Sequence, residues 1–165
     1  MGVRSAKSRE SGAAAVEFAL VIGVLLLIIG GIVEYGRLFW HYDALSKATR
    51  DGARLMSNAV GTTLQSATEG EANQVVLAEA VEARLNPALA GSQVVIQCTY
   101  PLSGGTEGAW GNCHDAVSNT DVPVHVRISI TGDPQYTVPL AQWFPVPGAD
   151  IALRPQTTMR YTYNN

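Results

Sequence analysis

A chain of 165 residues has room for one core of ordinary size and an appendage. Charged residues make up 15 % of it, against the ~25 % usual in soluble proteins, and a membrane-spanning segment accounts for the deficit. The net charge is only -3 and the basic residues form no long run, so the electrostatic footprint of a nucleic-acid binder is missing and nucleic acid is not an expected partner.

The first predicted element is a transmembrane helix. Residues 13–33 read AAAVEFALVIGVLLLIIGGIV, apolar throughout except for Glu17. About 20 such residues, rising ~1.5 Å each, cover the ~30 Å hydrocarbon core of a bilayer. A core helix of a soluble domain is the alternative, disfavoured by the length of the run and by its lack of polar alternation. Arg4, Lys7 and Arg9 precede it against the single acid Glu10, so the positive-inside rule predicts a cytoplasmic N-terminus and an extracytoplasmic remainder after Val33. A cleaved secretory signal would have an apolar centre of about 7–15 residues. The run here is longer, and Glu34, Tyr35, Gly36 and Arg37 follow it directly.

Glu17 is the informative residue of the run. An acid among membrane-embedded apolar side chains costs about 2.5–3.5 kcal/mol on insertion scales, so it needs a partner or a purpose. The string SGAAAVEF offers one, because Gly12 stands directly before the run. If the chain were cut after Gly12, the new amino group of Ala13 would lie four residues from Glu17, one helical turn away or within reach of a neighbouring subunit. The simpler alternative is a glutamate that snorkels toward the interface.

Gly12, four small or apolar residues, then Glu17, Phe18 and a long apolar run resemble the type IV prepilin processing site. The longer string GAAAVEFALV resembles the TadE-type pseudopilins (minor pilins) of the Flp/Tad type IV pilus assembly system. The resemblance implies a basic cytoplasmic leader, residues 1–12, removed by a prepilin peptidase. Gly12 would be the processing residue, Ala13 the mature N-terminus, and Glu17 with Phe18 the assembly pair. It also implies a single-pass protein of the bacterial inner membrane that is able to enter a pilus. Its partners would be the membrane, other pilin or pseudopilin subunits, the assembly machinery and the peptidase, with no cofactor. The resemblance covers the first third of the chain; YGRLFWHYDALSKATRDGARL and IALRPQTTMRYTY beyond it share only the general look of such proteins.

Past Val33 there is no proline, and Gly36 and Gly52 are isolated, so the helix is expected to continue as a stalk over residues 34–59 and to break near Gly61, Thr62 and Thr63. Tyr35, Leu38, Tyr42, Leu45, Thr49, Gly52, Met56 and Ala59 recur at steps of three and four, a stripe that suits a partner helix or the chain's own domain. Thr49 and Gly52 weaken it, which argues against a long autonomous coiled coil. Tyr35, Phe39, Trp40 and Tyr42 read either as an interfacial belt or as packing under the domain.

Residues 60–165 read as an extracytoplasmic α+β domain with a helix and an antiparallel sheet. A helix is predicted over 70–85, ahead of Pro87. Strands are predicted over 93–100 and 122–131, the second alternating Val122, Val124, Val126, Ile128 and Ile130 against Pro123, His125, Arg127 and Ser129. Two more are expected over 149–153 and 156–163, with the proline-rich and aromatic PQYTVPLAQWFPVPGAD folded over the sheet as a loop or short helix. Cys98 ends a strand and Cys113 lies in a glycine-rich loop; outside the cytoplasm a disulfide between them would close a short loop. The rival arrangement, a metal site from Cys98, Cys113, His114 and His125, lacks the paired ligand spacing of zinc sites, and no metal is expected.

No string typical of hydrolysis, phosphate binding, zinc catalysis or thiol redox occurs. His41, His114 and His125, with Asp115, Asp121 or a serine, read as ordinary groups: an interfacial, a loop and a solvent-facing strand histidine. The expectation is a non-enzymatic subunit. The alternative is an uncleaved single-pass envelope protein with a ligand-binding or scaffold domain, in which Glu17 pairs within a stable membrane complex.

Overall fold

The structure is a computed structural model that describes residues 7–59, 67–84, 88–102, 106–113, 122–132, 136–139 and 150–162, with side chains from 12 onward in the first stretch and from 69 in the second. Arg4, the side chains of Lys7 and Arg9, the Gly61 break, Leu85, Pro87, His114, Asp115, Asp121 and most of the proline-rich segment lie outside what is described. The fold is α+β: a long N-terminal helix, then a second helix and an antiparallel sheet. The chain forms two compact units, Met1–Arg37 and Leu38–Asn165.

Helix α1 runs without interruption over Lys7–Ser57, as the absence of proline allows. Its end is capped from within and from afar. Asn58 Nδ2 and Ser57 Oγ both donate to the Arg54 carbonyl at 3.0 Å. The Ser57 carbonyl accepts from the Thr162 backbone N–H at 3.0 Å, so the last turn finds donors for carbonyls that a helix end leaves open.

In the second unit α1 packs on its own domain. The buried residues are His41, Leu45, Ala48, Thr49, Gly52, Ala53, Met56 and Ser57. The predicted stripe overlaps this face at Leu45, Thr49, Gly52 and Met56, but Tyr35 and Tyr42 are exposed. Thr49 and Gly52, which weaken the stripe on hydropathy, are the points of closest approach. A Cβ added at Gly52 would stand 2.9 Å from both Ile128 Cδ1 and Val76 Cγ2. Thr49 Oγ1 donates to the Ser46 carbonyl at 3.0 Å and lies 2.9 Å from Thr157 Oγ1, so its buried hydroxyl is satisfied as both donor and acceptor.

Helix α2, Ala67–Glu82, buries the stripe Ala72, Val76 and Ala80, one residue per turn. Lys47 Nζ and Glu79 Oε2, 2.8 Å apart, join it to α1. The Lys47 pKa is raised, first by the hydrogen bond to Glu79 and then by its charge, so this contribution is present below the ordinary value of 10.5 and lost as pH climbs through the raised one.

The main sheet has the order β1-β2-β5, all antiparallel, from β1 (Val94–Thr99), β2 (His125–Ile130) and β5 (Gln156–Arg160). Val126, Ile128 and Ile130 face the core, as the alternation predicts, and meet α1 and α2 residues there. The strand starts later than expected, at His125: Pro123, placed on the solvent side by alternation, is buried, since a residue without an N–H sits ahead of the ladder more readily than in it. A short pair, β3 (Tyr136–Thr137) and β4 (Asp150–Ile151), lies between β2 and β5 in sequence. Tyr136 is buried and meets His41 edge-on, ring centroids 4.9 Å apart. His41 is therefore a core residue, not an interfacial one.

The Cys98 and Cys113 sulfurs lie at disulfide distance, with their Cα atoms 4.7 Å apart. Between them the chain doubles back on β1: Cys98 and Gly111 exchange backbone hydrogen bonds of 2.9 and 3.0 Å, and Gly108 N–H donates to the Tyr100 carbonyl. The returning arm lays Glu107 against His125, 3.1 Å away, and Trp110 over the Arg127 guanidinium, 3.8 Å from the ring centroid. His125 is thus partly covered, not simply solvent-facing. Both cysteines are buried, and among the described residues no three His, Cys, Asp or Glu side chains are placed to hold a metal ion.

Gly52→Leu is expected to destabilise the domain by about 1–3 kcal/mol through overpacking against Ile128 and Val76. Gly36→Leu, where a Cβ meets nothing within 4 Å, should be neutral or slightly stabilising, because glycine costs ~1 kcal/mol in a helix interior. Thermal unfolding of the detergent-solubilised chain by near-ultraviolet circular dichroism compares them, and equal losses would show that close approach at Gly52 is not what matters. The paired Cys98→Ala, Cys113→Ala variant closes no loop across the separation of 15 residues, and should lose about 3 kcal/mol in denaturant unfolding. A loss near zero would mean the backbone hairpin alone holds the segment.

Candidate functional site

The candidate site is the part of α1 within the first unit. Gly12, Ala13, Glu17 and Phe18 all lie on continuous helix. Among the described residues a Cβ at Gly12 would meet nothing within 4 Å. Ala13 and Glu17 are one turn apart on one face, both exposed. Phe18, at 66 % exposure, points to the adjacent face. Among the described residues Glu17 has no hydrogen-bond or ion-pair partner in this chain.

Around Glu17 the helix surface is apolar on every side. The large apolar side chains from Val16 to Val33 are all exposed, from 37 % at Ile22 to 74 % at Leu27. This is one helix long and apolar enough to cross a membrane, and no part of its apolar window is buried in the chain. An all-round apolar helix belongs in a core or in lipid, and among the described residues no part of this window is buried. The magnitudes favour insertion: thirteen such side chains supply about 4–8 kcal/mol at ~0.3–0.6 each, against ~2.5–3.5 for one buried acid. Glu17 therefore does not prevent insertion.

Tyr35, Phe39, Trp40 and Tyr42 follow the run and are all between 46 % and 65 % exposed. None of the four is buried, and amphipathic rings at the end of an apolar run have the composition of an interfacial belt. Sequence reasoning found this segment because its signals are local. It missed the contacts of Glu107 and Trp110 with β2, which no periodicity announces.

A family model described as TadE-like protein matches residues 12–54. No curated protein and no solved structure matches the chain. The match begins at Gly12 and ends within α1, so it takes in the apolar helix with Glu17 and the part of α1 that packs on the domain, and none of the sheet. Over these residues the chain is similar to TadE-like proteins, and the matched segment includes its candidate membrane-spanning helix.

Proposed function

We propose that this protein is a pilin-like subunit taking part in Flp/Tad pilus assembly, anchored by residues 13–33 in the bacterial inner membrane with its N-terminus in the cytoplasm and residues 60–165 outside. A prepilin peptidase hydrolyses the Gly12–Ala13 peptide bond: water adds to the Gly12 carbonyl carbon, the C–N bond breaks, and the products are a Gly12 carboxylate and an Ala13 amine that takes up a proton. Glycine is the least costly ordinary residue to unwind from a helix, by about 1 kcal/mol relative to alanine, which favours opening the chain at this bond.

The observation that carries the reading is the lone carboxylate of Glu17, exposed in an apolar helix one turn from Ala13. The α-amine freed at Ala13 supplies the cation. Facing the Glu17 carboxylate of an adjacent helix in low dielectric, it neutralises both charges and sets the register between subunits. Phe18 and the apolar side chains around it supply the remaining contact surface. The role is structural, and no step of it calls for a cofactor.

Gly12→Lys should leave the N-terminus at Met1 or Gly2 in protein recovered from membranes, where the unaltered chain starts at Ala13 only when the peptidase is present. Glu17→Ala should insert and be processed normally while recovery with pilus subunits falls about tenfold. N-terminal sequencing reads the first result and co-purification with pilus subunits the second. A Met1 or Gly2 start in the unaltered chain would favour the uncleaved envelope protein, and normal assembly of Glu17→Ala would remove the proposed role of the carboxylate.

A further inference from the structure

We propose that the outer face of the three-stranded sheet docks the acidic face of α2 from a second copy of this chain, head to tail. The alternation that buries Val126, Ile128 and Ile130 turns His125, Arg127 and Ser129 to the other side. The pairing register sets Gln97, Arg127 and Thr158 in one row across that side and Thr99, His125 and Arg160 in the next, where Thr99 is buried and Arg160 exposed. The two rows hold two arginines and no carboxylate. Glu107, which reaches this face from the hairpin, sits against His125.

Neither arginine is neutralised among the described residues. Trp110 orients Arg127 without cancelling its charge, and the Arg127 Nε is buried with no hydrogen-bond acceptor, a costly state for a cationic donor. Arg160 is exposed. Diagonal neighbours on adjacent strands lie about 7–8 Å apart, so both guanidinium groups serve one incoming segment.

Helix α2 supplies the complement. It carries Glu69, Glu71, Glu79 and Glu82 and no basic residue. Glu79 is taken by Lys47, whose proton is also held, more weakly, by the charge of Glu82. Glu71, Gln74, Ala78 and Glu82 are exposed and fall on one side of the helix. This ridge has acids at its ends, small Ala78 near its middle, and Val81 beside it at 71 % exposure. The acidic ridge complements in charge a sheet face that presents two arginines.

A two-fold pairing through the sheet face would set arginine against arginine. The α2-to-sheet contact joins two different surfaces, so it is heterologous and can propagate from copy to copy. It takes its biological setting from the subunit reading above, but the contact itself needs no cleavage at Gly12.

The test uses the full-length, uncleaved chain in detergent micelles. Salt-sensitive self-association is expected, weakened about tenfold by Arg160→Glu and restored to within about threefold when that variant is mixed with Glu71→Arg/Glu82→Arg. In a second experiment Arg160→Lys supplies an amine, and zero-length carbodiimide coupling of labelled with unlabelled copies should join position 160 of one to Glu71 or Glu82 of the other. Association insensitive to salt or to Arg160→Glu, or links that map elsewhere, would overturn the proposal. So would an Arg160→Glu chain that self-associates normally but loses binding to anionic lipid vesicles, which would assign the face to headgroups. Because the chain is uncleaved throughout, failure here leaves the processing of Gly12 untouched.

Discussion

The domain depends on how closely α1 can approach what it packs against. Side chains on a helix set its distance from a neighbour, and Ala48, Thr49, Gly52 and Ala53 keep that distance short along the buried face. Gly52 leaves no space for even a methyl group between α1, Ile128 and Val76. The approach brings the Thr49 hydroxyl to Thr157 and the end of α1 to Thr162. One face of one helix thus meets α2, the central strand and the segment after the edge strand.

The same helix meets a different requirement along its first part. From Val16 to Val33 it presents apolar side chains on every side, and only a low-dielectric surrounding satisfies that surface. The single exception, Glu17, has the opposite problem, since such a surrounding raises the cost of an unpaired charge. A helix of this composition is incomplete by itself: its apolar surface calls for lipid or other helices, and its acid costs less where it is paired or reaches the interface. Its TadE-like match spans both requirements, from Gly12 into the part that packs on the domain.

The hairpin closed by Cys98 and Cys113 shapes the other side of the sheet. Backbone pairing of Gly111 and Glu107 with the end of β1 and just beyond it occupies part of what is otherwise an open edge, a surface that proteins commonly cover. The arm also carries Glu107 and Trp110 onto β2. One histidine and one arginine of the outer face are thereby fixed in place while Arg160 stays open, so the face is polar, ordered and unevenly charged.

The sequence by itself determined the features that are local along the chain. Apolar length, the spacing of Gly12, Ala13 and Glu17, the unbroken α1 and the alternation of β2 are all set by residues within a few turns or steps of one another. The sequence offered a bridge between its two cysteines if they lie outside the cytoplasm, and the structure brings their sulfurs to disulfide distance. Tertiary structure alone decided which face of α1 is inside: hydropathy gives alanine, threonine and glycine little weight, whereas close packing selects them for size. It also decided the fate of His41, buried because Tyr136, distant in sequence and in a strand of two residues, arrives against it. It placed Glu107 and Trp110 on β2 in the same way. Contacts between segments far apart in sequence leave no periodic trace, so composition and spacing specify the elements and their exposed or buried tendency, while the geometry of approach specifies the partners.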